Sequence, residues 1–62
     1  MAHFDWKVRS LDTGRSYKRR DTLHGIKCHA TQTFVGQNIA VELGGNIYAV
    51  KLIRDGKWDV FG

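Results

Sequence analysis

Sixty-two residues carry 10 Lys and Arg against 6 Asp and Glu, a formal charge of +4, and 42% of the residues are apolar. A chain of this length excludes two domains, a doubly wound sheet or a TIM barrel, and its apolar content excludes an obvious disordered tail. One cysteine excludes an internal disulfide, and a domain this small buries only roughly 60% of its extended surface, so its large apolar residues serve the core first.

The periodicity along residues 1–62, read as one domain, is that of strands. Phe4, Trp6 and Val8 alternate with Asp5, Lys7 and Arg9, the period-2 pattern of a half-buried strand. Asp12-Thr13-Gly14 reads as a hairpin turn with its glycine in the left-handed region, leading into a second strand over residues 15–20. Arg19 to Gly25 reads as a loop with one helical turn, capped by Asp21 and stopped by Gly25. Ile26, Cys28, Ala30 and Phe34 then form the inward set of a further strand, interrupted by Gln32.

Gly36-Gln37-Asn38 predicts a turn, after which Ile39, Val41 and Leu43 alternate with Asn38, Ala40 and Glu42. Gly44-Gly45-Asn46 predicts the next turn. In the following strand Tyr48, Val50 and Leu52 lie opposite Ile47, Ala49, Lys51 and Ile53, so both faces are largely apolar. Asp55-Gly56 has the composition of a type I′ hairpin turn, and Trp58 with Val60 gives a short last strand. The three later strands form a meander. Phe4 to Lys7 and Lys57 to Phe61 share their composition, which suggests that the first and last strands pair. The expected fold is therefore all-β: a single small antiparallel barrel or curled sheet of five to six short strands, similar to SH3-like or OB-like barrels in strand number and length.

Charge is unevenly spread. Residues 1–31 hold seven cations (Lys7, Arg9, Arg15, Lys18, Arg19, Arg20 and Lys27) against Asp5, Asp12 and Asp21, a net +4. Residues 32–62 hold Lys51, Arg54 and Lys57 against Glu42, Asp55 and Asp59, a net of zero. With Phe4, Trp6 and Val8 turned inward, Lys7 and Arg9 face out. The partner strand adds either Arg15, Tyr17 and Arg19 or Ser16, Lys18 and Arg20, and both registers leave at least two cations beside them. Lys18-Arg19-Arg20 extends the patch toward His24, Lys27 and His29. Clustered cations suit a phosphate backbone, and Tyr17 offers a ring for an unpaired base. The expected function is thus a small non-enzymatic module that binds DNA or RNA backbone through Lys7, Arg9, Arg15, Tyr17, Lys18, Arg19, Arg20 and Lys27. A module that occludes an acidic protein partner is the alternative, and ordinary solvated charge that keeps a small protein soluble and protects an edge strand is the plainest account.

Other chemistry is thinly supported. Neighbours on a strand diverge, so Cys28 is expected as a buried thiol with His29 on the other face. His3, His24, Cys28 and His29 include metal-ligand types but no Cys-x-x-Cys unit, and no metal or cofactor is expected. An endoribonuclease would need His24 or His29 beside Arg19, Arg20 and Lys27. Trp6, Tyr48 and Trp58 fall on inward registers and read as core, not as an aromatic cage. No apolar run approaches the roughly 20 residues of a membrane span, and no secretion leader is apparent. The lone thiol fits a reducing cytoplasm, and the composition is compatible with a homodimer.

Overall fold

Alternation places Trp6, Val8 and Ser10 on one side of the first strand, and this side becomes the floor of the core. A computed structural model describes residues 2–62. Its elements are β1 (Phe4–Ser10), β2 (Ser16–Asp21), α1 (Leu23–Thr33), β3 (Ile39–Leu43), β4 (Asn46–Leu52) and β5 (Lys57–Val60). The strands form one antiparallel sheet in the order β2-β1-β3-β4-β5, with β3, β4 and β5 the expected meander. β1 is paired on both edges, by β2 and β3, so it does not meet β5. The sheet stays open, in place of the closure suggested by the similar ends of the chain.

The strand expected through Ile26, Cys28, Ala30 and Phe34 is instead helical over Leu23–Thr33. Ile26, Ala30 and Phe34 recur every four residues, a spacing that satisfies both a strand's period of 2 and a helix's stripe. Thr22, not Asp21, caps the helix: its side-chain oxygen accepts from the Gly25 N–H at 3.0 Å. Asp21 supports the cap by accepting from the Thr22 N–H at 2.7 Å. Gly25 does not end the helix, which continues to Thr33; a Cβ at this position would collide with the Asp21 carboxylate, so the glycine is the residue that lets the two pack. The helix runs from edge strand β2 over β1 to β3 and buries Ile26 and Ala30 against Trp6, Val8, Ile39 and Val41.

The Gly44-Gly45 turn leaves Leu43 opposite Asn46, and both glycines have positive φ, 61° and 83°. These are the type I′ signs that Asp55-Gly56 was expected to show. At the latter site four residues, 53–56, make the connection, and only Gly56 is left-handed. The Asp55 and Gly56 N–H groups both donate to the Leu52 carbonyl at 3.0 Å. One extra residue in β4 breaks the ladder beside Val41/Glu42 and resets the strand. Tyr48 still packs against Trp6, but beyond it Ala49 and Lys51 face the helix, while Val50 and Leu52 turn to the opposite face. The expected inward set Tyr48, Val50, Leu52 therefore holds only at Tyr48.

Ser10 is the one buried polar residue among those described. Its hydroxyl donates to Gln37 Oε1 and accepts from the Asp12 and Thr13 N–H groups, joining the first hairpin turn to the segment after the helix. Replacing Ser10 with Ala leaves these groups short of a partner and should cost about 1–3 kcal/mol. At roughly 4–8 °C per kcal/mol for a domain of this size, thermal unfolding followed by circular dichroism should show a fall in Tm of several degrees with the far-ultraviolet spectrum unchanged.

Candidate functional site

Because α1 covers only one face, the other face of the sheet is open, and β1 and β2 present their outward residues there. Lys7 is directly opposite Lys18, Asp5 opposite Arg20, and Arg9 opposite Ser16. Of the two registers left open by the sequence, the one with Ser16, Lys18 and Arg20 outward is formed. β3 adds Glu42 beside Lys7 and Ala40 beside Arg9. Arg9 pairs with Glu42 at 3.5 Å and Arg20 with Asp5 at 3.4 Å. Among the described residues, no carboxylate lies within 4.0 Å of the Lys7 or Lys18 ammonium. These two lysines, with Asp5, Glu42 and the Gly44-Gly45 turn, edge a shallow depression of about 350 Å³.

The structure brings together four of the eight residues expected at the site: Lys7, Arg9, Lys18 and Arg20. The others lie elsewhere. Tyr17 is opposite Val8, on the helix side, where its hydroxyl is 2.8 Å from His29 Nδ1 and its ring packs near Phe34. Burial pushes the Tyr17 hydroxyl pKa above its ordinary value. A ring so placed offers no platform to a base lying on the cationic face. Arg19, opposite Trp6, is also on the helix side and bonds Asp21 at 3.2 Å. Arg15 precedes β2, its carbonyl accepting from the Ser10 N–H, in the same register as Tyr17. Lys27 belongs to α1 and lines a groove beside Trp58, so the patch does not continue toward the helix.

The helix also rearranges the other candidate groups. Cys28 is exposed, not buried, and its Sγ lies 3.8 Å from His24 Nε2. Residues four apart meet on a helix, a pairing that a strand reading hides. His29 points away from this pair, to Tyr17 and Thr33. The four metal-ligand types are thus divided; of the groups a ribonuclease would need, His24 and Lys27 share one groove while Arg20 lies on the other face of the sheet. No three His, Cys, Asp or Glu residues among those described converge on one point. Sequence reasoning missed the carboxylates Asp5 and Glu42 as partners of the arginines. The interleaving of Asp5 with Lys7 and Arg9 was the available signal for the first, and β3 pairing supplied the second.

Asp21 has the most perturbed carboxyl. The Thr22 N–H and then the Arg19 guanidinium hold its pKa below the usual carboxylate value. The charged form is therefore favoured in the folded chain. The resulting stabilisation is present above the ordinary carboxylate range and is lost as pH falls through the lowered value. Carbon-detected NMR titration should place the Asp21 midpoint below the ordinary aspartate value. In Arg19→Ala it should rise part of the way back, the Thr22 bond keeping the remainder.

No helix among the described residues is long and apolar enough to cross a membrane. Compared with protein-family models, curated proteins and solved structures, the chain matches none.

Proposed function

We propose that this protein is a small nucleic-acid-binding module that grips the phosphate backbone of DNA or RNA with the open face of its first hairpin. The observation that carries this reading is the Lys7–Lys18 pair. Like charges directly opposite on neighbouring strands repel, and here neither ammonium has a carboxylate within salt-bridge distance. A phosphate between them removes the repulsion and releases condensed counterions. Arg9 and Arg20 flank the lysines, and each presents a planar fork suited to phosphate. Phe4, Trp6 and Tyr17 all belong to the helix-side register of this hairpin, which supports contact with the backbone in preference to stacking on bases. The exposed free thiol of Cys28 supports a reducing compartment, the cytoplasm.

A second reading, an acidic protein partner, is favoured by one feature. The open face continues past Glu42 into Ile47, 53% exposed, and the half-buried Val50 and Leu52, an apolar strip beside the cations. Ile47→Ser separates the two: it should leave nucleic-acid affinity within about twofold while weakening a protein docked across both halves.

Four neutralised phosphates give a slope of log K against log salt of about −4. Lys7→Ala with Lys18→Ala should reduce that slope by about 2 and weaken all sequences alike, whereas Lys27→Ala, on the helix side, should leave it unchanged. Fluorescence anisotropy with duplex DNA, single-stranded DNA and RNA at several salt concentrations reads these values. Undetectable or salt-insensitive binding to all three at low salt would overturn the proposal.

A further inference from the structure

α1 packs mainly over β2, β1 and β3, and meets the last hairpin only at its margin, where Lys51 of β4 reaches Thr31. The uncovered part of the helix-side face becomes a groove of about 380 Å³ between α1 and β5. Its helix wall is His24, Lys27, Cys28 and Thr31, and its other wall is the half-buried Trp58. Lys51, directly opposite Trp58 in the ladder, lines the neighbouring depression beside Gly36, Gln37 and Ile39, and donates from Nζ to Thr31 Oγ1 of the groove wall at 3.4 Å, which puts a second ammonium next to the groove. No carboxylate lines the groove. The nearby acids of the sheet, Glu42 and Asp59, are on the open face, in register with Lys7 and Val50.

A half-buried indole, two ammonium groups and no opposing negative charge form a coherent chemical set. The indole accepts a flat ring by stacking, and the ammonium groups accept an anion attached to that ring. The volume is at the small end of the roughly 300–1,000 Å³ typical of ligand sites, enough for one ring, one sugar and one phosphate. We propose that this groove is a second binding site, for a free nucleoside monophosphate, with Trp58 stacking on the base and Lys27 and Lys51 holding the phosphate. The site is independent of the cationic hairpin: the two lie on opposite faces of the sheet and share no residue.

The two tryptophans make the test direct. Trp6 is 1% exposed and Trp58 is not buried, so a ligand in the groove quenches Trp58 alone. Titration of the full chain with adenosine monophosphate should quench tryptophan emission to saturation, and Trp58→Phe should abolish the quench. Adenosine, which lacks the phosphate, should bind at least tenfold more weakly. Ribose 5-phosphate, which lacks the ring, should not quench. Lys27→Ala should raise Kd about five- to tenfold, and a nitrogen–proton NMR spectrum like that of the unmodified protein shows that it still folds. Chemical-shift changes on titration should centre on Lys27, Thr31 and Trp58. The proposal is overturned by no quench at millimolar nucleotide, by equal binding of adenosine and its monophosphate, or by unchanged affinity in Lys27→Ala. It is also overturned by shifts confined to Lys7 and Lys18, an outcome that leaves the backbone-binding face intact.

Discussion

The burial of Trp6 and Val8 beneath α1 is the constraint from which both the fold and its charged face follow. Side chains alternate on a strand, so fixing these two inward fixes Asp5, Lys7 and Arg9 outward. Pairing then carries the same rule sideways: Lys18 and Arg20 follow from Lys7 and Asp5 on one edge, and Glu42 follows from Lys7 on the other. Full burial of a large apolar side chain contributes about 1.5–3 kcal/mol, whereas an exposed ion pair contributes at most about 1. Core packing, not the charges, therefore sets the register. The Trp6 indole adds direction to that packing by donating to the Asp21 carbonyl at 2.8 Å, where β2 ends and the helix cap begins.

The same comparison bears on how an anion meets the open face. Arg20 and Asp5 are 65% and 83% exposed at their side chains, and Arg9 pairs with Glu42 at a solvated edge. Pairs of this kind are weak and screened by salt, so under the proposed reading a phosphate would displace them at small cost. The carboxylates limit the field of the patch without closing it. Lys7 and Lys18 need no such exchange.

Most strands were legible because their alternation had one solution. Trp6 and Val8 have no competing period, and Ile39, Val41 and Leu43 are bounded by turns on both sides. The helix was not legible, for a physical reason. Thr22, Thr31, Thr33 and Gly25 are poor or modest helix formers, and Ile26, Ala30 and Phe34 fit either period. What decides is tertiary: a helix delivers these three side chains together onto Trp6, Val8, Ile39 and Val41. The register of β4 was hidden for a different reason. A bulge inserts one residue without a sequence marker, and one residue exchanges the faces of everything after it. The cationic face survived both errors because Lys7 and Arg9 depend only on β1. The site residues that lie off the cationic face, Arg15, Tyr17, Arg19 and Lys27, all depended on the register of β2 or on the missing helix.

Edge protection is the simplest competing account of the cations, and the strand order tests it. β2 is an edge of the sheet, and Lys18, Arg19 and Arg20 are residues that discourage a second chain from pairing there. β1 is interior, with both edges occupied, so it needs no such protection. Lys7 and Arg9 nevertheless carry charge on it. Protecting the edge of β2 would also be served by a lysine facing an acid, yet Lys18 faces Lys7. An edge-protection account therefore explains three basic residues on β2, and the solvated open face accounts for Lys7 on the interior strand β1 without specifying an anion. On the proposed reading, the Lys7–Lys18 juxtaposition is what an anion seated between β1 and β2 would use.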